Sequence, residues 1–321
     1  MRMHTGHRGS EAEEALQDIN KKTGRNMPQA VATAVVLIVL ILACLLIRID
    51  AFVVLIVVFM ILALWELRVD FAAAQLRFPL VLMVLSSSIT LLAAYYADRH
   101  ILAAAVCIAA SLPLIAIGAS FDFPAGARLA AAAANKTAST AAAPLEFAPR
   151  QVNRLDDVAV SIFTVLYIPL LASCIVLPLT FNDHPVAHAI IVVFLPAISD
   201  TGGLFAGAWL GKHKLSPRIS PKKSVEGLLG SILFSIIGAY VIFAFTYPAL
   251  WSTRWWVPIV MGAVVGIVGT FGDLCASMLK RDIGIKDMGH LLKGHGGVMD
   301  RVDSILLCAP FLAALLWATG L

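Results

Sequence analysis

Nine predominantly apolar runs, each roughly 17 to 25 residues long, constrain this chain more than any other feature, because a run of that length crosses a hydrocarbon layer about 30 Å thick. They cover Ala30 to Ile47, Ala51 to Leu67, Phe78 to Ala97, Ile101 to Ala119, Val158 to Phe181, Val186 to Leu210, Leu228 to Phe245, Trp256 to Met278 and Ser304 to Leu321. Lipid offers no hydrogen bonds to an open backbone, so the runs are expected to be helices and the fold an all-α, polytopic membrane bundle. The second run is the weakest, being short and almost touching the first.

Charge placement gives an orientation. With the N-terminus on the cytoplasmic side, 21 of the 24 lysines and arginines fall on that side, leaving only Arg48, Arg99 and Arg254 opposite. Positively charged loops stay in the cytoplasm, so this asymmetry supports both the span count and the orientation. All six tryptophans lie toward run ends, where aromatic belts sit. The net charge of +4 is modest, and neither a basic, aromatic-interleaved stripe nor a zinc-finger spacing points to nucleic acid. The five cysteines are scattered through apolar runs and read as small buried hydrophobes.

Four regions follow. Residues 1–28 form a polar tail without the pattern of a secretory signal, expected to be disordered and cytosolic. Residues 29–120 form a four-helix front bundle, almost free of polar side chains within the membrane. Residues 121–155 are an Ala-rich cytoplasmic linker, and residues 156–321 form a five-helix domain that holds nearly all the candidate chemistry.

A carboxylate near membrane depth is costly, which singles out Asp200 in "AISDTGG" and Asp273 in "TFGDLCAS". Helical spacing places Asp273, Ser277, Lys280 and Arg281 on one broad face. After a lysine-rich loop, Asp300 and Asp303 are three residues apart at the start of the last helix. Between them "KGHGGVMDR" supplies His295 and three glycines, Gly294, Gly296 and Gly297, whose amides precede a helix N-terminus. Two carboxylate clusters around basic residues and free amides are suited to a magnesium-bound polyphosphate. A second basic patch, Gly211 to Gly227, carries Lys212, Lys214, Arg218, Lys222 and Lys223; it reads equally as an anionic-lipid platform or an ordinary positive-inside loop. Gly203, Gly207 and Gly211 recur every fourth residue, which marks close helix packing.

The run Ser277-x-x-Lys280-Arg281-x4-Lys286-Asp287, followed by His295-Gly296-Gly297-x-x-Asp300-Arg301-x-Asp303, resembles the C-terminal pattern of the phosphatidate cytidylyltransferases, also called CDP-diacylglycerol synthases. "SDTGG" at Ser199 to Gly203 and "SPKKSVEG" at Ser220 to Gly227 are similar to the family's preceding segments, so the resemblance covers roughly Val186 to Asp303. It implies that phosphatidic acid attacks the α-phosphorus of CTP, forming CDP-diacylglycerol and pyrophosphate, with magnesium required and room for a second cation. It implies Asp273 and Asp300 as metal ligands, Asp303 as a further ligand or a group behind them, and Lys280, Arg281, Lys286 and Arg301 as phosphate clamps. Ser277, His295, Gly296 and Gly297 would bind substrate, and Lys222 and Lys223 would hold either the nucleotide or the lipid phosphate. A homodimer in the cell membrane, with its site facing the cytoplasm, is implied in the same way.

The chain departs from the family at Ala276, where relatives usually carry a glutamate, and at Lys293, where proline is common. A lipid-binding or transport protein without catalysis, and an enzyme acting on another lipid acceptor, are the competing expectations. Transport is disfavoured because the ionisable groups gather at one surface rather than near the midplane.

Overall fold

The structure is a computed structural model that describes residues 27–121, 154–181, 184–248, 251, 253–285, 288 and 297–321. Four helices form the front: α1 (Met27–Ile47), α2 (Ile49–Ala73), α3 (Leu80–Tyr96) and α4 (His100–Ser120). The back half begins with α5 (Arg154–Tyr167) and α6 (Pro169–Val176), which runs into a 3-10 turn at Leu177–Thr180. It continues with α7 (Pro185–Leu210), a hairpin of β1 (Lys214–Ser216) and β2 (Ser220–Ser224), then α8 (Val225–Thr246), α9 (Val257–Ile283) and α10 (Met299–Thr319). Among the described residues, seven stretches are long and apolar enough to cross a membrane, α5 through the 3-10 turn counting as one, and two shorter apolar helices accompany them. The chain is an all-α, polytopic membrane protein, with one hairpin among the described residues.

Three local features refine the sequence expectation. The weak second run becomes a full helix that continues to Ala73, so Glu66, Arg68 and Asp70 are helical and buried. The fifth run is broken: α5 ends at Tyr167 because Pro169 has no N–H to donate and its ring crowds the preceding turn. The basic patch after α7 folds back as an antiparallel hairpin pairing Lys214 with Ser224 and Ser216 with Ser220. The tail and the Ala-rich linker lie outside the described residues.

Small residues set how closely the back helices approach. Gly203 and Gly207 of α7 lie against Gly227 and Ser224, and a Cβ on Gly203 would stand 2.3 Å from the Ser231 hydroxyl of α8. That is the close packing expected from the four-residue glycine spacing. Along α9, Gly262 and Gly266 press on the backbone of Ile236 and Ile232, and Gly272 on Asp303 and Ser304 of α10. The helices α7, α8, α9 and α10 thus pack successively, and α6 lies against α10. Outward, Val225, Leu229, Leu233, Ile237 and Val241 of α8 form an exposed apolar stripe at four-residue spacing, as a lipid-facing helix requires.

Candidate active site at the hairpin end

The hairpin stands where α7 ends and α8 begins, and it is anchored on both sides. Ser224 caps α8 by accepting a hydrogen bond from the Gly227 N–H at 3.0 Å. Glu226 receives the ring Nδ1 of His213 at 2.7 Å and its backbone N–H at 3.2 Å. Held in this way, Lys223 of β2 reaches α9, where its ammonium lies 2.7 Å from Asp273 Oδ2 and donates to the Thr270 carbonyl at 3.2 Å.

A second lysine–aspartate pair sits deeper. Lys280 donates to Asp300 Oδ1 at 2.8 Å, and both side chains are nearly buried, 11% and 6% exposed. The other oxygen of Asp300 accepts from the backbone N–H of Met288 at 3.2 Å and of Gly297 at 3.5 Å. Asp300 therefore ties the loop before α10 to the helix start, an acid reaching back to free amides at a helix N-terminus. Gly297 must be glycine, since a Cβ there would meet the Met288 carbonyl oxygen at 1.5 Å. From the front half, Glu66 of α2 accepts the Met299 N–H at 3.0 Å. This carboxylate, 2% exposed, fixes the first turn of α10 across more than two hundred residues of sequence.

Asp303, one turn further along α10, is 5% exposed and accepts the Ser304 N–H at 2.7 Å. Asp273, Asp200 and Lys280 lie within electrostatic range of it. Asp200 of α7 is open to solvent yet ringed by Lys223, Asp273, Arg301 and the Ser304 hydroxyl, so it lines a recess rather than a free face. Carboxylates from three helices and ammonium groups from a hairpin and a helix thus gather at one end of the bundle.

Among the sequence candidates, Asp273, Lys280, Asp300, Asp303, Arg301 and Lys223 belong to this neighbourhood. Ser277 is half-buried on α9, Arg281 is exposed at its last turn, and Ala276 is buried. Lys222 lies in β2. Lys286, His295 and Gly296 fall outside the described residues, as do Gly294 and Lys293. Sequence reasoning noticed Asp200 but left it out of the site, and it missed Glu66 and Tyr167. The signal for Glu66 was a glutamate inside an apolar run; Tyr167 carried none beyond the nearby proline.

Among the described residues, no three His, Cys, Asp or Glu side chains converge closely enough to cage a metal ion unaided. The donors are carboxylate oxygens in excess over nearby cations around Asp303, the chemistry a hard divalent ion prefers. Magnesium is ordinarily held by one or two carboxylates together with substrate phosphates, so the residues fit an ion that arrives with a polyphosphate.

Residues 28–319 match the cytidylyltransferase family. The chain belongs to that family. Among curated members of the cytidylyltransferase family, it is 38% identical over 159 residues to the phosphatidate cytidylyltransferase of Mycobacterium bovis, covering 50% of each chain. The Mycobacterium leprae protein of the same name is 39% identical over 158 residues, 49% of each chain. That of Staphylococcus haemolyticus is 39% identical over 133 residues, 41% of this chain and 49% of the relative. The matched region thus spans about half the length of these relatives.

Proposed function

We propose that this protein transfers a cytidylyl group from CTP to phosphatidic acid, forming CDP-diacylglycerol and releasing pyrophosphate. The observation that carries the reading is the convergence of Asp200, Asp273 and the Asp300–Asp303 pair, from three different helices, with Lys223 and Lys280 at one end of a bundle of this family. A phosphate oxygen of the lipid bonds to the α-phosphorus while the bond to the β-bridging oxygen breaks, and pyrophosphate carries away the electron pair. A phosphate monoester is largely ionised at neutral pH, so the protein need not supply a strong base; it must position two anions and offset their charge.

Asp273, Asp300 and Asp303 would hold magnesium, which when bound offsets triphosphate charge. Lys223 and Lys280 now each cover one oxygen of Asp273 and Asp300 and are the side chains best placed to turn toward phosphate. Arg301 and Arg281 would clamp phosphate oxygens, Ser277 and the Gly297 amide would donate to them, and Lys222, Lys286, His295 and Gly296 complete the proposed binding set. The hairpin end would face the cytoplasm, where CTP is dissolved, and the chain would pair as a homodimer.

The test is labelled CTP with phosphatidate and magnesium, using the purified full chain. Pyrophosphate and CDP-diacylglycerol are expected to form together and to vanish in Asp300→Ala. A chain that binds phosphatidate but never consumes CTP would be a non-catalytic lipid binder, and CTP consumption only with another lipid would replace the acceptor. Thiol labelling of a cysteine introduced at Lys214 in sealed vesicles decides which side the hairpin faces.

A further inference from the structure

Tyr167 ends α5 at the break before Pro169, where α6 begins. Its ring stacks on Phe163 with centroids 5.2 Å apart, and the residue is 9% exposed. The hydroxyl is shut off from solvent and has no hydrogen-bond partner. The charged groups in its range lie on the helices of the candidate site: Asp303 foremost, then Asp273 and Asp300, with the Cys275 thiol beside them. A buried hydroxyl without a partner loses its hydration and gains nothing in return, so such a group calls for an explanation in the liganded state. Those carboxylates lie within electrostatic range of the hydroxyl, yet none is hydrogen-bonded to it.

We propose that the Tyr167 hydroxyl donates a hydrogen bond to a phosphate oxygen of bound substrate, making it a substrate-contacting residue contributed by the broken fifth span. The inference rests on the cytidylyl-transfer reading. Phosphate is the acceptor this chemistry suits: the hydroxyl is a neutral donor, no carboxylate is hydrogen-bonded to it, and the anions of the proposed reaction are phosphates. The break at Pro169 separates α5 from α6, and α6 packs on α10, the helix that carries Asp300 and Asp303.

Tyr167→Phe in the full chain tests this with three measurements. The thermal midpoint of the ligand-free protein should stay level or rise, because the substitution removes a desolvated, unpaired group. Equilibrium binding of CTP with magnesium, without lipid, should weaken roughly ten- to hundredfold, the range for a hydrogen bond to a charged acceptor, if the contact is to the nucleotide. Unchanged CTP binding with a comparably raised KM for phosphatidate would assign the contact to the lipid phosphate. A variant matching the parent in CTP binding and in both kinetic constants overturns the proposal. So does one that loses thermal stability and activity together, since the hydroxyl would then be structural. A parent chain inert toward CTP and phosphatidate removes the reaction and this contact alike, whereas an active parent with an indistinguishable variant removes only the contact.

Discussion

Two buried polar clusters occupy opposite ends of α7 and α8, and they are solved differently. At the far end His188, fully buried, has both ring nitrogens engaged: Nδ1 meets the Pro178 carbonyl at 2.7 Å and Nε2 the Tyr247 hydroxyl at 2.9 Å. A carbonyl only accepts, so Nδ1 carries the proton; full burial favours the uncharged ring, in which Nε2 accepts from the Tyr247 hydroxyl. Burial pushes the Tyr247 phenol up to about 12, so it remains a donor throughout the physiological range. At the hairpin end the Tyr167 hydroxyl has no hydrogen-bond partner, and the carboxylates around Asp303 outnumber the cations near it. The first cluster is complete without a ligand and holds helices together. The second carries groups whose partners a substrate would bring.

The largest expected effect breaks the second cluster at its acids. Asp273→Asn keeps the shape of the side chain, leaves Lys223 without its charge partner, and should lower pyrophosphate release by roughly two to three orders of magnitude, the usual cost of deleting one electrostatic element of a site. Asp300→Asn should do the same and also destabilise the protein by about 3–5 kcal/mol, because Lys280 would be left as an uncompensated, nearly buried charge. Thermal unfolding in detergent beside the turnover assay separates the two. If Asp300→Asn loses only stability, that acid is a structural tie and the site lies on Asp273, Asp303 and Asp200.

Next in size is the loop before α10. Gly297→Ala would drive a methyl group into the Met288 carbonyl, so the segment must shift and Asp300 with it. Turnover should fall by about a hundredfold, the penalty that a displacement near 1 Å can bring to a positioned group. Glu66→Gln is milder: it keeps an oxygen acceptor for Met299 N–H but removes the charge at the helix start. A loss of about 0.5–1 kcal/mol in stability and a several-fold fall in kcat, with CTP binding little changed, would mark Glu66 as a positioning residue.

The spans were legible because lipid imposes a length and an apolarity that local sequence must satisfy; eight of the nine runs became unbroken helices close to the expected bounds. The α7–α8 contact was legible for a related reason, since glycines four apart have few other uses in a membrane helix. The acid and lysine positions could be read from helical spacing, but their pairing could not. That Lys223 selects Asp273 depends on a hairpin, and two short strands of lysine, serine and proline carry no alternation that separates them from a loop. Arg68 and Asp70 were hidden because the apolar run seemed to end at Leu67, whereas protein packing lets the helix continue through them to Ala73; Glu66 lay inside the run, but its partner, the Met299 N–H, is more than two hundred residues away. Tyr167 was hidden because an aromatic in an apolar run looks like any other; only coordinates reveal an unpaired hydroxyl.

The smallest expected effect on turnover sharpens the comparison most, because it asks the same chemical change to have opposite consequences at the two ends. Tyr247→Phe deletes a hydroxyl that is paired in the ligand-free protein, leaving His188 Nε2 buried without a donor. Losing one partner of a buried hydrogen bond costs about 1–3 kcal/mol, so the thermal midpoint should drop while kcat and both KM values stay at the parent level. The aromatic packing of position 247 on Phe243 and His184 is kept by phenylalanine, so a drop can be ascribed to the hydroxyl. His188→Phe should lower the midpoint further, since it strands both the Pro178 carbonyl and the Tyr247 hydroxyl, again without changing turnover. Should Tyr247→Phe instead impair turnover at unchanged stability, the far cluster would also be communicating with substrate, and hydrogen-bond completeness would no longer distinguish the part of this bundle that holds from the part that binds.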